Sequence, residues 1–302
     1  MDERTGPPGR AWPGFGGTGV WLASLRSAPI AEVRAAARTI EALGYRALYA
    51  GEVVGGREAF AFQGILLAAT STLVTGTGIA NLWARHPAAM AGGALTLEEA
   101  YPGRFVLGVG VSHAPIVERA GDRFDRPVSR MRAYLAAMDA AAVDLPASAS
   151  PLPRLLAALG PRMLECARDR ASGAHTYFVP PEHTARAREI LGEHAVLVVE
   201  QAVVVDPDPE RARSLARAHV ARYLALENYA GNLRRLGYRD EDLVAGGSDR
   251  VVDALVATGD LEAVAGRIDA HRRAGADQVL LQPLGELGDA LEQLGALASV
   301  LR

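Results

Sequence analysis

Lysine is missing from this chain, so all 32 of its basic residues are arginines. Without lysine there is no side-chain amine for a Schiff base with a carbonyl substrate or for attaching pyridoxal phosphate. The phosphate-binding loop of nucleotide hydrolases also needs a lysine. The absence removes these three classes of enzyme from consideration.

Cysteine is nearly absent as well, since Cys166 is the only one in 302 residues. A single cysteine excludes an intrachain disulfide and any metal site built from several cysteines. Its helical context, PRMLECARDR, predicts a packed side chain rather than a nucleophile. The histidines at 183, 194, 219 and 271 are too scattered to suggest ligands, so no metal site is predicted.

Long apolar runs are also lacking, because none reaches the roughly 18 residues that a membrane-spanning helix needs. Residues 1–17 are rich in glycine and proline and have no apolar signal core, which predicts a flexible N-terminal arm on a cytoplasmic protein. The formal net charge of -3 gives no electrostatic reason to expect nucleic acid as a partner.

What the chain does contain is eight predicted strands that alternate with helical patterns, and strands three, four, five, seven and eight are near-continuous Val/Leu/Ala runs. Runs of this kind are typical of strands buried on both faces of a parallel sheet. Eight such units predict an α/β fold of the (β/α)8 TIM-barrel type, formed by residues 18–302 as a single domain. Residues from about 226 to 259 look like an additional helical insertion between the seventh and eighth strands.

The segment from Leu73 to Pro115 holds one strand, helix, strand unit whose second strand ends in GVGVSHAP. Parallel strands joined by helices place their carboxyl ends at the same edge of the sheet, where α/β proteins bind ligands. The ligand is therefore expected over residues 78–86 and 110–116.

Four motifs in the order GTGI, ARHPAAMAGGALTLEE, YPGRFVLGVGVS and RLLAALGPRMLECA resemble the luciferase-like monooxygenase superfamily, and within it actinobacterial oxidoreductases that use coenzyme F420. The resemblance covers about residues 18–285. It implies a luciferase-like barrel with an insertion near strand seven, hydride transfer between the deazaflavin C5 and a small organic substrate, and a homodimer. The alternatives are an FMN-dependent monooxygenase and a non-catalytic barrel that only binds flavin.

The family carries a non-proline cis peptide at the end of strand three, against which the cofactor ring packs. The shared anchors place that bond between Gly78 and Ile79, whereas a glycine bulge with a trans bond is the alternative. Asn81 is predicted to bond the polar edge of the ring, or else to be a turn amide. Trp83 is predicted to stack on the ring or wall the substrate pocket, or else to pack in the core.

The end of strand four supplies Gly110, Ser112 and His113. Gly110 is predicted to let the ligand approach the backbone, and Ser112 to bond a phosphate or ribityl oxygen of the cofactor. His113 is the leading catalytic candidate, because some F420-dependent relatives carry an acid or base at this position and imidazole titrates near neutral pH. The alternative is a surface histidine that caps the next helix.

Strand five runs into Gly160, Pro161 and Arg162, where amides at a helix start beside a guanidinium form an anion site. The turn matches the phosphate-binding turn of the family. In strand six, His175 and Tyr177 share a face that lines the substrate pocket or simply packs.

Two positions depart from the family pattern. Glu52 ends strand two, but Val53 follows where many relatives have a histidine. Glu52 is thus either a proton relay or a structural carboxylate bonded to backbone. Val111 occupies the position where flavin-binding luciferases carry an arginine, which favours F420 over FMN.

Overall fold

Eight parallel strands close into a barrel in the computed structural model, which describes residues 12, 14–141, 144–146 and 151–301. The barrel strands in order are β1 (Thr18–Trp21), β2 (Ala47–Ala50), β3 (Val74–Thr77), β5 (Phe105–Gly110), β6 (Arg154–Ala157), β7 (Gly173–Thr176), β8 (Val196–Val205) and β10 (Gln278–Pro283). Pairing of β8 with β10, and of β10 with β1, closes the ring. The predicted (β/α)8 TIM barrel is confirmed.

Helices fill the outer layer. They are α1 (Ile30–Ala42), α2 (Ala59–Ala69), α3 (Pro87–Ala100), α4 (Ala114–Arg119), α5 (Pro127–Asp139), α6 (Pro161–Arg170), α7 (Pro181–Leu191), α8 (Pro209–Leu224), α9 (Glu227–Arg235), α10 (Asp249–Leu255), α11 (Leu261–Arg273) and α12 (Leu287–Ala298). Several begin with proline, whose fixed φ suits a first helical position. Apolar stripes such as Val33, Ala37 and Ile40 of α1 bury these helices against the strands.

The barrel interior is filled by side chains that alternate along each strand with those facing the helices. Val196 and Val198 of β8 point inward to pack with Tyr49 and Leu280, whereas Leu197 and Val199 face the helix layer. The interior is therefore a packed core up to the carboxyl ends of the strands, where a cavity opens.

The predicted flexible arm of residues 1–17 falls mostly outside the described residues, at 1–11 and 13. Its described part packs on the barrel. Trp12 is only 6% exposed and contacts the interior cluster that contains Val74 and Val196, the first residues of β3 and β8. This end of the arm covers the amino ends of the strands.

The predicted insertion, 226–259, is not helical throughout. It contains α9, a 3-10 turn at Asp240–Asp242 and α10, but it ends in the strand β9 (Val256–Gly259). β9 pairs in parallel with the last residues of β8, from Ala202 to Val205. The long VLVVEQAVVV run extends β8 beyond the barrel and provides the edge for this extra strand. A second short strand, β4 (Ala80–Asn81), follows β3 and pairs with β5.

Candidate active site

A cavity of about 860 Å³ opens at the carboxyl ends of the strands. Its wall is largely apolar and comes from the loops after most of the barrel strands and from α8 and α9 of the chain. The sequence-predicted site residues that line it are Glu52, Gly78, Ile79, Ser112, His113, Gly160, Pro161, Arg162, His175 and Tyr177. Residues from five strands thus meet on one cavity.

The peptide bond between Gly78 and Ile79 is cis, at the position that the family resemblance implies. The Trp21 indole N–H donates to the Gly78 carbonyl at 2.9 Å. The Glu52 amide donates to the Ile79 carbonyl at 3.0 Å, so both carbonyls of the bulge are bonded inside the protein. The bulge therefore presents a fixed surface to the cavity.

Gly110 corrects one prediction, because it does not line the cavity. A Cβ at this position would lie 2.5 Å from Ile79 Cγ1 and 3.2 Å from the Cβ of Ala157. The missing side chain makes room for Ile79 of the bulge rather than for a ligand. Gly110 acts on the site through the position of Ile79.

Asn81 and Trp83 also lie outside the cavity lining, contrary to their predicted contacts with the cofactor and the substrate. Asn81 is 1% exposed, and its Oδ1 accepts from the Trp83 amide at 3.1 Å, which is the turn-amide alternative. The Trp83 indole donates to the Val111 carbonyl at 2.8 Å, and its ring lies behind Phe124, which does line the cavity. Both residues therefore lie at the expected strand end, behind the residues that line the cavity.

Glu52 lies at the cavity edge with both carboxylate oxygens occupied by protein donors. Oε1 accepts from the Ala59 amide at 3.1 Å, and Oε2 accepts from the Asn81 amide at 2.8 Å. The Arg85 guanidinium bonds both oxygens, and the two side chains are 10% and 5% exposed. These contacts support the structural alternative for Glu52 over the proton relay.

His113 lines the cavity and contacts the insertion. Its Nδ1 lies 2.9 Å from Asn228 Oδ1, and its ring centroid lies 5.3 Å from that of Tyr229, both residues of α9. His113 is the N-cap residue of α4, but its side chain makes no capping hydrogen bond. Burial lowers the pKa of His113, with the Asn228 hydrogen bond opposing this, so the imidazole is neutral at pH 7. When Nδ1 donates to Asn228, Nε2 is the basic nitrogen.

The start of α6 combines backbone and guanidinium donors. Arg162 is the second residue of the helix, so its amide has no acceptor within the helix. Arg235 of α9 approaches from the insertion, and its Nη2 would lie 3.7 Å from a Cβ built on Gly160. Arg162 and Arg235 both line the cavity. Together with the helix dipole, these groups favour an anion.

His175 and Tyr177 both line the cavity on its barrel side. His175 is 3% exposed, with Nδ1 at 3.3 Å from the Val198 carbonyl and with no partner for Nε2 among the described residues. Burial lowers the pKa of His175 to about 4, so the ring is neutral. The Tyr177 hydroxyl lies 2.7 Å from both Gln282 Oε1 and the Tyr223 hydroxyl.

Several lining residues were not found from the sequence. Most of these belong to α8 and α9 or to loops that fold back over the barrel: Trp21, Arg26, Phe124, Arg222, Tyr223, Asn228, Tyr229 and Arg235. Tyr223 and Tyr229 are aromatic side chains within otherwise polar helices, a signal that was present in the sequence.

Among the described residues, no three His, Cys, Asp or Glu side chains gather as a metal site would require. No described helix is long and apolar enough to cross a bilayer.

A sequence profile of the luciferase-like monooxygenase family matches residues 14–278. A 67-residue segment is 43% identical to a putative coenzyme F420-dependent oxidoreductase, Rv3520c, of Mycobacterium tuberculosis. That segment covers 22% of this chain and 19% of the relative, so the match spans about a fifth of the relative's length.

Two solved structures share the architecture. An F420-dependent secondary alcohol dehydrogenase in complex with an F420-acetone adduct gives a TM-score of 0.76 at 15% identity, covering 95% of this chain and all of that one. The second is the oxygenating constituent of 3,6-diketocamphane monooxygenase, a type II Baeyer-Villiger monooxygenase from Pseudomonas putida, in complex with FMN. Its TM-score is 0.70 at 15% identity, and the match covers 95% of this chain and 97% of that one. At this identity the likeness establishes the fold.

Proposed function

This chain belongs to the luciferase-like monooxygenase family, and we propose that it is an F420-dependent oxidoreductase that transfers a hydride between the deazaflavin C5 and a small organic substrate. Its relatives and structural neighbours are oxidoreductases or monooxygenases, so the chain is an enzyme of this broad class. The same proteins point to a deazaflavin or a flavin as the cofactor.

One observation carries the proposal: the Gly78–Ile79 bulge and the start of α6 lie on the same largely apolar cavity. A flat, largely apolar ring fits against the bulge, whose two carbonyl oxygens are already bonded to the protein. The phosphate of such a cofactor fits the Arg162 amide with the Arg162 and Arg235 guanidinium groups. The unpartnered Nε2 of His175 offers an acceptor to a polar group of a bound ligand.

The bound deazaflavin supplies the hydride chemistry at C5, and the protein supplies orientation, a dry site and a proton. The apolar wall excludes water from the bulge and its surroundings. Neutral His113 accepts or returns a proton at Nε2, while Asn228 holds Nδ1–H and so keeps the ring in one tautomer. Glu52 and Arg85 fix the backbone around the bulge.

The alternative is an FMN-dependent monooxygenase, which the FMN-bound neighbour supports. Against it, Val111 lines the cavity at the position where flavin-binding luciferases carry an arginine. F420 is accordingly the preferred cofactor.

Turnover with the two cofactors tests the proposal. Reduced F420, with oxygen excluded, should be oxidised in the presence of a carbonyl or imine acceptor from a substrate panel. His113→Gln should lower kcat by about a hundredfold and leave the F420 dissociation constant within about twofold. Oxygen-dependent turnover with reduced FMN and none with F420 would replace the proposal by the monooxygenase.

A homodimer and a cytoplasmic location remain proposals, based on the family resemblance and on the composition of the chain. Light scattering of the purified protein tests the first. A mass near that of one chain would overturn it.

A further inference from the structure

Two arginines line the cavity away from the start of α6. Arg26 lies in the loop after β1, and Arg222 lies in the last turn of α8. No described carboxylate pairs with either guanidinium. Glu52 is the only acidic residue of the lining, and Arg85 already neutralises it. This end of the cavity therefore has an unbalanced positive charge.

The strand order separates Arg26 from the proposed phosphate site. β1 is the first and β6 the fifth of the eight barrel strands, so the loops that follow them lie on opposite sides of the ring. Arg162 follows β6, whereas Arg26 follows β1. A cofactor whose phosphate binds at α6 and whose ring lies on the bulge after β3 leaves the β1 side of the cavity free.

An aromatic surface lies next to the two arginines. The Trp21 and Tyr177 ring centroids are 5.1 Å apart, as are those of Tyr177 and Tyr223. The Arg26 Cζ lies 6.0 Å from the Trp21 ring centroid. Arg222 precedes Tyr223 in the last turn of α8, and both residues line the cavity.

The tyrosine hydroxyls themselves are engaged within the protein. Because Gln282 Oε1 can only accept, Tyr177 donates its proton there and receives one from Tyr223. The aromatic wall thus offers ring faces to a ligand, and the guanidinium groups offer its polar contacts.

We propose that the substrate is an organic acid whose apolar or aromatic body packs on Trp21, Tyr177 and Tyr223 and whose carboxylate is bound by Arg26 and Arg222. The proposal rests on the proposed function, since it assigns the α6 end to the cofactor. It names the substrate class for the same cavity. Two guanidinium groups can hold both oxygens of a carboxylate in an ion pair, whereas a neutral amide has one acceptor oxygen and no charge.

Calorimetric titration with matched probes tests the substrate class. Phenylacetate, 3-phenylpropionate and 4-phenylbutyrate are each compared with the corresponding amide, on protein with and without saturating F420. At least one acid should bind about tenfold more tightly than its amide. Arg26→Gln and Arg222→Gln should each reduce that preference to about threefold or less. Arg34→Gln, at an exposed position of α1 away from the cavity, is the matched control and should leave it unchanged.

Three results would overturn the inference. One is that no acid is preferred over its amide, and another is that the preference survives both substitutions. The third is that the two variants weaken F420 binding and leave acid binding intact, which would assign the arginines to the cofactor. Failure of F420 to bind at all would reject the proposed function, while the titrations on cofactor-free protein would still report on acid binding.

Discussion

At the scale of single residues, the contact between His113 and Asn228 decides which nitrogen of the imidazole can exchange a proton. The two side chains are 115 positions apart in the chain and 2.9 Å apart in the fold. Burial lowers the pKa of His113, and the hydrogen bond raises it in part. The insertion thus controls both the tautomer and the titration of the leading catalytic candidate.

Two substitutions of Asn228 should shift the pKa of His113 in opposite directions. In Asn228→Leu the bond that favours the charged ring is lost, so the pKa should fall further. In Asn228→Asp a carboxylate replaces the amide, so the pKa should rise by about one unit or more. NMR titration of the His113 ring protons measures both, with the exposed His194 as internal control. If His113 titrated identically in the wild type and both variants, the hydrogen bond between His113 and Asn228 would be ruled out.

Gly110 is a second case in which one residue acts through another. Gly110→Ala should push Ile79 away from its place in the bulge, lower the free energy of unfolding by about 1–3 kcal/mol and weaken cofactor binding. Adding Ile79→Ala should recover most of the stability, because the colliding atoms Cγ1 and Cδ1 are gone. Gly295→Ala, in a helix with open space around it, is the matched control and should not destabilise. Equal stability of Gly110→Ala and the wild type by urea unfolding would contradict this packing.

At the scale of elements, Glu52 joins three segments that surround the bulge. It follows β2, bonds the amide of Ala59 at the start of α2, and bonds the amide of Asn81 in β4. Arg85, which precedes α3, adds the counter-charge. The edge of the cavity near the bulge is thus held by one buried ion pair and two backbone bonds.

Arg85→Met should leave the buried Glu52 carboxylate without its counter-charge and lower the free energy of unfolding by about 3 kcal/mol. Glu52→Ala should cost less, because the half-exposed Glu58 still pairs with Arg85, and the double variant should lose less than the sum. Asp269→Ala removes a half-exposed partner of Arg272 and should cost well under about 1 kcal/mol. If Glu52→Ala kept its stability but lost activity with an altered pH profile, Glu52 would instead be a proton relay.

Apolar runs bounded by turn-forming residues indicated most of the barrel strands, because strands buried on both faces tend to be continuously apolar. The polar strands β3 (VTGT) and β7 (GAHT) were placed by the alternation with helices. The same reasoning missed β9, since Val256 and Ala257 suit a helix as well as a strand and only the exposed edge of β8 selects the strand. It also left two roles open for Glu52, because the choice depends on Arg85, 33 residues away. Asn228 and Arg235 could not be placed, since their position depends on how the insertion folds over the barrel.

At the scale of the whole molecule, buried titratable groups give the stability a pH optimum. Burial lowers the pKa of His175 to about 4 and those of His219 and His271 to about 3. Burial raises the pKa of Glu98 to about 7 and that of Glu200 to about 8. As the pH rises, the histidines increase the free energy of unfolding and the glutamates decrease it.

The unfolding free energy should be largest at about pH 6 to 7. Below the unfolded histidine pKa of 6.5 the unfolded chain binds more protons, so stability is lost as the pH falls. Above the unfolded glutamate pKa of 4.5 the folded chain binds more protons, so stability is lost as the pH rises through the folded values of about 7 and 8. Urea unfolding from pH 5 to 9 measures the curve. Glu200→Gln should flatten the alkaline side, and an unchanged slope there would mean that Glu200 is ionised in the folded protein at neutral pH.

The most direct test of the proposed function is a fluorescence-quenching titration of the purified protein with F420 and, separately, with FMN. F420 should bind with a dissociation constant in the micromolar range and about tenfold or more tighter than FMN, and Arg235→Gln should weaken it about tenfold. Tighter binding of FMN would contradict the assignment to hydride transfer by F420. Binding of neither would mean that the bulge and the start of α6 do not form a cofactor site in this chain.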